Sequence, residues 1–192
     1  MAKPSPLGVV LAGGRSTRLG GAKATVELAG RPLLAWPLEA MRAALRDVVV
    51  VAKASTPLPE LDVEVWIEPE EPAHPRAGLV HALERAGGLA ILACAGDLPL
   101  ISPPLVRRLA AEDSGGAPAV APRAGGRLQP LLARYEPAAL DLLRAAPPGE
   151  ALTATVAAMH PRVLELEDDA PFANVNTPAD LEAVAQRIAR GS

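Results

Sequence analysis

The amino-acid sequence predicts a single α/β domain built on a mainly parallel β-sheet. Short apolar runs alternate with helical patterns throughout the first half of the chain, the order typical of strands joined by crossover helices. Residues 47–52 ("DVVVVA") are apolar and mostly β-branched, as expected for a strand covered on both faces. The 192 residues contain neither an internal repeat nor a long linker, and this length suits one domain. We therefore expect one domain that covers residues 1–192.

The elements of the first half follow from local pattern. Residues 7–11 form a short apolar run that soon meets glycine, which predicts a buried strand. Apolar residues at roughly helical spacing predict a helix within residues 31–46, and Pro37 in its first turns is tolerated because a missing N–H costs little there. The same reasoning gives, in chain order, strands at 47–52 and 63–67, a helix at 76–86 and a strand at 89–95.

Two helix starts in the second half carry clear capping signals. Ser102 is followed by two prolines, which predicts a serine-capped helix over 102–112. Thr177 precedes Pro178, and Asp180 stands at the third helical position, which predicts a capped final helix. Between them we expect strands at 117–122 and 128–135, helices at 137–144 and 151–160, and a strand at 162–167.

Composition excludes several classes of function. The formal net charge of -3 argues against a nucleic-acid-binding protein, which carries a clustered basic excess. No apolar stretch approaches the roughly 18 residues of a membrane span, and the N-terminus lacks the apolar core of a signal peptide. Cys94 is the single cysteine, so neither a disulfide framework nor a multi-cysteine metal site is possible within the chain. We expect a cytoplasmic protein that binds neither nucleic acid nor a membrane.

The polar composition is skewed, and its exceptions are informative. Sixteen arginines stand against three lysines, and the whole chain has two asparagines. Lys23 is therefore a lysine where arginine is the usual choice. Both asparagines, Asn174 and Asn176, fall in the tripeptide "NVN". These residues are candidates for function.

The stretch "VVLAGGRSTRLGGAK" predicts an anion-binding loop. It follows the first strand, so it lies at the carboxyl edge of the sheet, where ligands bind in such folds. Its glycines permit close backbone approach, and its cations add positive charge in the same place: Gly13, Gly14, Gly20, Gly21, Arg15, Arg18 and Lys23. A polyphosphate fits this pattern, and a glycine-rich turn with solvated arginines is the alternative.

Two common phosphate-binding patterns do not fit this loop. The Walker pattern needs serine or threonine directly after the lysine, whereas here the order is "GGAKAT". The dinucleotide fingerprint needs spaced glycines that lead at once into a helix, whereas here the first two glycines are adjacent.

Asp97 and the asparagine pair are candidate metal and substrate ligands. Asp97 follows an apolar strand in "LAILACAGDLPLI", and a carboxylate there suits Mg²⁺, which takes one or two carboxylates plus phosphate oxygens. A turn or cap role for Asp97 is the alternative. Asn174 and Asn176 alternate at a strand end and would point to one side, towards the cleft, or else they cap the final helix.

The chain resembles a known enzyme family over nearly its whole length. "LAGGRSTRLGGAKATVELAGRPLL" is similar to the signature of the nucleotidyltransferases related to the molybdenum cofactor guanylyltransferase, with Leu19 where methionine is usual. "PRAGL", "GDLPLI", "LQPLLARY" and "FANVNTPADL" then follow in that family's order.

The resemblance implies a fold and a reaction. The fold is a three-layer αβα domain with a Rossmann-like, mostly parallel sheet, of the nucleotide-diphospho-sugar transferase type. The reaction is transfer of GMP from GTP to the phosphate of molybdopterin with Mg²⁺ as cofactor and release of pyrophosphate. Transient contacts with other molybdenum cofactor proteins are implied, and we expect a monomer. The alternatives are cytidylyl transfer to molybdopterin, guanylyl transfer to 2-phospholactate, and a non-catalytic nucleotide-binding homologue.

The resemblance also assigns roles to residues. The catalytic residues are Lys23, Arg18 and Asp97; the nucleotide-binding residues are Leu11, Ala12, Gly13, Gly14, Arg15, Lys23, Pro69, Gly78 and Asp97; the metal ligands are Asp97 and Asn176; and the acceptor-binding residues are Asn174 and Asn176. Two positions depart from the family pattern: Pro69 stands where aspartate is common, and Val51 where asparagine is frequent. Either backbone groups contact the base or the nucleotide preference has changed, so we expect a modest preference for GTP.

Overall fold

The computed structural model describes residues 5–13, 19 and 23–191. Most of the predicted phosphate loop lies outside these ranges, and so do five of the residues assigned to it, Gly14, Arg15, Arg18, Gly20 and Gly21.

The described residues form ten strands and six α-helices. The strands are β1 Leu7–Leu11, β2 Glu27–Leu28, β3 Arg31–Pro32, β4 Val48–Lys53, β5 Glu64–Glu68, β6 Ile91–Ala95, β7 Ala119–Ala124, β8 Arg127–Leu128, β9 Leu132–Tyr135 and β10 Arg162–Leu166. The helices are α1 Ala35–Arg42, α2 Pro75–Arg85, α3 Pro103–Ala111, α4 Ala139–Ala145, α5 Leu152–Ala158 and α6 Pro178–Gly191.

The main sheet has the strand order β10-β7-β9-β6-β1-β4-β5, with β8 paired to β7. β5, β4, β1 and β6 pair in parallel, and β10 pairs in parallel with β7. β9 lies antiparallel to both of its neighbours, β6 and β7. The expectation of a mostly parallel sheet is therefore confirmed.

Helices cover both faces of the sheet, which gives the expected three layers. On one face, α1 and α3 pack on strand side chains through buried residues such as Leu38, Met41 and Leu109. On the other face, α2, α4 and α5 do the same through Leu79, Leu143 and similar side chains. A third, smaller cluster joins α6 to the β2–β3 hairpin. No helix in the described part of the chain is long and apolar enough to cross a membrane.

Two local differences from the sequence prediction concern short strands. The predicted helix within 31–46 begins only at Ala35, because residues 27–32 form the β2–β3 hairpin around a turn at Ala29 and Gly30. Both turn residues have positive φ, 49° and 79°, as a two-residue hairpin requires. The predicted strand at 128–135 is divided into β8 and β9, since Gly125 and Gly126 turn β8 back onto β7.

The topology creates a ligand-binding edge. From β1 the chain crosses through α1 to β4 on one side, and later reaches β6 on the other side of β1. Strand order therefore reverses at β1, and ligands of open α/β sheets bind outside the carboxyl ends of the strands at such a point. The residues that follow β1 and β6 lie at this edge.

Candidate active site

Lys23, Asp97 and Asn176 meet at the carboxyl edge of the sheet, although 153 positions separate the first residue from the last. The Lys23 ammonium forms a salt bridge with Asp97 Oδ2 and donates a hydrogen bond of 2.5 Å to Asn176 Oδ1. The side chains of Lys23 and Asp97 are 15% and 19% exposed, so the pair is largely shielded yet reachable from solvent. Three residues predicted from separate motifs thus form one cluster.

Asp97 is held by the strand that precedes it and by the asparagine segment. The Gly96 N–H donates to Leu11 O at 2.9 Å, which ties the end of β6 to the end of β1. A Cβ at Gly96 would lie 2.8 Å from Leu34 Cδ1 and 3.1 Å from Leu11 O, so only glycine fits there. The Val175 N–H donates to Asp97 O at 3.1 Å. The carboxylate therefore stands on a fixed backbone.

Asn176 is positioned by the start of α6. Its backbone N–H and that of Thr177 donate to Asp180 Oδ2 at 3.0 and 2.9 Å, and the Asp180 N–H donates to Thr177 Oγ1 at 3.2 Å. These reciprocal bonds confirm the capping signal predicted from sequence. The N–H of Asn176 and the other donors around the carboxyl of Asp180 lower its pKa. Val175 is fully buried in the third cluster, so the segment is packed against the protein at this residue.

The cluster has the donor set of a hard-cation site. One carboxylate oxygen and one amide oxygen converge on a single positively charged atom, the Lys23 nitrogen. Mg²⁺ is commonly held by one or two protein oxygens together with substrate phosphates and waters. No group of three or more His, Cys, Asp and Glu side chains suited to a metal occurs in the part of the chain that the structure describes. Asp97 and Asn176 therefore fit a cation that a phosphate ligand helps to bind.

A second part of the same edge lies at the ends of β1, β4 and β5. Leu11 and Ala12 are buried, and Gly13 is exposed. Leu11 O accepts from Gly96, and the Ala12 N–H donates to Val51 O at 2.8 Å. These two backbone groups, predicted to contact the nucleotide, are therefore engaged in holding neighbouring strands together.

The structure adds Glu68, which the sequence reasoning had not selected. This last residue of β5 is only 7% exposed and lies between Gly13 and Gly78, two of the predicted nucleotide-binding residues. Glu68 Oε2 is buried and has no hydrogen-bond partner among the residues that the structure describes. Burial raises the pKa of this carboxyl, Lys53 opposes that shift, and Glu70 adds to it. The available signal was strand alternation, which places Glu68 on the same buried side as Trp66.

Pro69 lies next to this pocket as an exposed residue. Its carbonyl accepts a hydrogen bond of 2.7 Å from Lys53 Nζ, which also bonds the carbonyl of Glu70. The Glu70 carboxylate in turn accepts from Ser55. These bonds connect the ends of β4 and β5.

The asparagine pair is not equivalent. Asn176 is half-buried and contacts Lys23, whereas Asn174 is exposed. Val175, between them, is buried in the small third core. The prediction that Asn174 also points towards the cleft stays a prediction.

Comparison with known proteins identifies the family. Residues 8–165 match the family model of the MobA-like NTP transferase domain. A probable molybdenum cofactor guanylyltransferase from Bacillus licheniformis is 32% identical over 189 residues, 92% of this chain and 94% of that protein. The molybdenum cofactor guanylyltransferase of Cereibacter sphaeroides is 33% identical over 186 residues, with 91% and 92% covered.

Solved structures agree on the fold. Molybdopterin-guanine dinucleotide biosynthesis protein A from Archaeoglobus fulgidus superposes with a TM-score of 0.74 at 24% identity, covering 97% of this chain and all of that one. At this identity the likeness shows a shared architecture. The family model and the two enzyme relatives go further, because together they span nearly the whole sequence: the protein belongs to the MobA-like NTP transferase family.

Proposed function

We propose that this protein transfers GMP from GTP to the terminal phosphate of molybdopterin and releases pyrophosphate. The observation that carries the proposal is the convergence of Lys23, Asp97 and Asn176 on one point at the nucleotide-binding edge of the sheet. The names of the relatives, molybdenum cofactor guanylyltransferases, support the choice of nucleotide and acceptor.

The reaction needs no general base in the protein. A phosphate monoester has a second pKa near 6, so the acceptor is an ionised nucleophile at neutral pH. One of its oxygens attacks the α-phosphorus of GTP, a new P–O bond forms, and the bond from the α-phosphorus to the bridging oxygen of the β-phosphate breaks. The electron pair of that bond leaves with pyrophosphate. The protein therefore contributes positioning and charge neutralisation.

Lys23 neutralises charge on the leaving pyrophosphate, and we assign the same task to Arg18, which lies outside the described residues. The Lys23 ammonium is bound by Asp97 and Asn176. It can exchange these oxygens for phosphate oxygens without leaving the site. We assign the binding of the phosphates to the backbone N–H groups of the loop that begins at Gly13 and includes Gly14 and Arg15.

Asp97 and Asn176 would hold Mg²⁺ at this edge. When bound, the ion supplies charge stabilisation at the phosphates of the nucleotide. Asn176 is fixed by its backbone bond to Asp180, and Asp97 by the bonds of Gly96 and Val175, so both oxygens are oriented before ligands arrive. Asn174, exposed beside them, contacts the acceptor.

The test is an assay with each of GTP, CTP, ATP and UTP in the presence of molybdopterin and Mg²⁺. Formation of the guanine dinucleotide with equimolar pyrophosphate is the expected result. Preferential formation of the cytosine dinucleotide would replace the proposal by the cytidylyl alternative, and transfer of GMP to 2-phospholactate but not to molybdopterin would replace the acceptor. Nucleotide binding without any transfer would indicate a non-catalytic homologue.

We also propose that the protein acts as a monomer in the cytoplasm, where GTP is available, with one domain over residues 1–192. Size-exclusion chromatography with light scattering tests the monomer. A dimer at micromolar protein concentration would contradict it.

A further inference from the structure

Glu68 lies where the base of a bound nucleotide would be read. It ends β5, the outermost strand of the parallel half of the sheet, whereas Asp97 follows β6. Three strand spacings, about 14 Å, separate the two strands. That span matches an extended nucleoside triphosphate with its phosphates at Lys23 and Asp97 and its base at the far end of the same edge.

The two oxygens of Glu68 have different surroundings. A Cβ built on Gly78 would lie 3.3 Å from Oε2 and 3.1 Å from Leu11 Cδ2, so Oε2 faces the closely packed wall formed by α2. A Cβ built on Gly13 would lie 3.3 Å from Oε1, and Oε1 is the one described atom within 4 Å of that point. Gly13 itself is exposed. Among the described residues, no side chain therefore covers Oε1 on the side of Gly13.

Packing alone does not explain this carboxylate. About nine tenths of buried polar groups have a hydrogen-bond partner, because an unmet one costs the desolvation of that group. Glu68 Oε2 has no hydrogen-bond partner among the described residues, and the side chain is 7% exposed. Oε2 lies on the α2 side, so a ligand would contact the other oxygen of this carboxylate, Oε1, on the side of Gly13. A ligand that brings hydrogen-bond donors to Oε1 would stabilise a buried carboxylate that the described residues compensate incompletely.

The neighbouring groups predicted to read the base are already engaged. Leu11 O and the Ala12 N–H bond neighbouring strands, and Pro69 O accepts from Lys53. Glu68, one residue before Pro69, supplies a carboxylate from the buried side of the strand.

We propose that Glu68 is the residue that selects guanine, with Oε1 accepting hydrogen bonds from the adjacent N1–H and 2-amino group of the base. The inference rests on the proposed function, since it assumes a nucleotide at this edge. Guanine is the common base that presents two adjacent donors on its Watson–Crick edge. Adenine and cytosine present one amino donor beside an unprotonated ring nitrogen, and that nitrogen would face the carboxylate. Glu68 thus replaces the carboxylate whose loss at residue 69 predicted weak discrimination.

The test compares nucleotide affinities of the wild-type protein and Glu68→Gln by isothermal titration calorimetry. GTP, ITP and XTP serve as probes: ITP lacks the 2-amino group, and XTP has a carbonyl oxygen in its place. Wild-type protein is expected to bind GTP at least about tenfold more tightly than ITP, the effect of one hydrogen bond to a charged group. XTP, with its oxygen against the carboxylate, should bind still more weakly.

In Glu68→Gln the order of affinities for the three nucleotides should change. The amide keeps one acceptor oxygen and gains an NH₂ that can donate to the xanthine oxygen. GTP affinity should fall about tenfold or more, the GTP:ITP ratio should approach one, and XTP binding should increase. Glu70→Gln is the matched control. It removes the same charge two residues further along the chain, from a carboxylate that accepts a hydrogen bond from Ser55. This control should preserve the wild-type order of affinities for GTP, ITP and XTP.

Each other outcome overturns a defined part of the argument. An equal loss of affinity for all three nucleotides in Glu68→Gln would assign the carboxylate to the ribose and overturn base selection. Unchanged affinities for all three nucleotides in Glu68→Gln would overturn any contact with the ligand while leaving guanylyl transfer intact. Tighter binding of CTP than GTP by the wild-type protein would overturn the proposed function and this inference together. Should Glu68→Gln fail to fold, a wild-type GTP:ITP ratio near one is sufficient to reject the proposal.

Discussion

Two groups of charged side chains at the same edge of the sheet differ in how the protein compensates their charge. Around Lys23, the ammonium is matched by the carboxylate of Asp97 and the amide oxygen of Asn176. At Glu68, the buried carboxylate oxygen Oε2 has no hydrogen-bond partner in the described part of the chain. The protein thus compensates the first group fully and the second incompletely.

The difference has a physical consequence for binding. A ligand at Lys23 replaces existing contacts, so phosphates of any nucleotide gain a similar amount there. A ligand that donates to Glu68 Oε1 would stabilise a buried carboxylate that the described residues compensate incompletely, and an analogue without the donors would not. Sites of that kind reject incomplete analogues most strongly. Affinity is thus expected from the Lys23 side and selectivity from the Glu68 side.

The largest effect is expected at Asp97. Asp97→Ala should reduce the rate of nucleotidyl transfer by about a hundredfold or more, the range found for loss of one preorganised electrostatic group. Its fold should persist, because the side chain stands at the exit of β6 and not in the core. Pyrophosphate release and circular dichroism measure the two quantities, with Asp62→Ala, a fully exposed aspartate, as control. Transfer at the wild-type rate in Asp97→Ala would remove this residue from the site.

The next effect separates the two lysines. Lys23→Ala should slow transfer more than tenfold and weaken the binding of GTP, ITP and ATP by similar factors, because we propose that the ammonium contacts the phosphates. Lys53 lies beside Glu68 and lowers its pKa. Lys53→Ala should therefore leave the rate at saturating GTP nearly unchanged and alter the GTP:ITP ratio instead. Equal effects of the two variants on all nucleotides would contradict the division of the edge into two parts.

Stability provides a smaller and opposite effect at Glu68. In the absence of nucleotide, Glu68→Gln should raise the free energy of unfolding at pH 7 by about 1 kcal/mol, or Tm by about 2–4 °C, because it removes a buried charge. Burial raises the folded-state pKa of Glu68 above 4.5, so the folded protein binds this proton more tightly than the unfolded chain.

The pH dependence of that effect has a defined sign. The wild-type protein gains stability from Glu68 as pH falls through the folded pKa, and the gain is complete below about pH 4.5. The advantage of Glu68→Gln should therefore shrink in acid. Lys53 and Glu70 are the charged groups that face Glu68, whereas Leu11 and Gly78 on β1 and α2 carry no titratable side chain. Urea titrations at pH 4 and pH 7 measure the difference in the free energy of unfolding between the two proteins. An equal difference at both pH values would indicate that the pKa of Glu68 is the same in the folded and the unfolded protein.

The smallest effect is expected at Asp180, which orients Asn176 through its backbone. Asp180→Ala should weaken Mn²⁺ binding in the presence of GTP a few-fold, below the tenfold typical of partners in buried metal sites. Electron paramagnetic resonance of free Mn²⁺ measures this without reference to turnover. Asp168→Ala, whose carboxylate bonds the N–H of Ala170 away from α6, is the control. Equal Mn²⁺ affinity in both variants would mean that Asn176 needs no support from Asp180.

The part of the fold that the sequence determined is the part controlled by local pattern. Residues 7–11 and 47–52 are apolar runs whose pattern predicts strands. They form β1 and β4, with bounds within one residue of the prediction. Ser102 and Thr177 are capping residues whose bonds involve only the next three positions, so α3 and α6 begin where expected. For the site, motifs pointed to Lys23, Asp97 and Asn176. The rarity of lysine and asparagine in this composition also pointed to Lys23 and Asn176.

Other features were decided by tertiary structure, because their causes are distant in the chain. The direction of β9 depends on insertion between β6 and β7, and its own residues do not encode that orientation. The contact of Lys23 with Asn176 joins segments 153 positions apart. Glu68 reads in sequence as one acidic residue in "IEPEE", and its lack of a partner appears only when Gly13, Gly78 and Leu11 surround it. Sequence specified the groups that carry charge, whereas packing determined which charge was matched and which was left for a ligand.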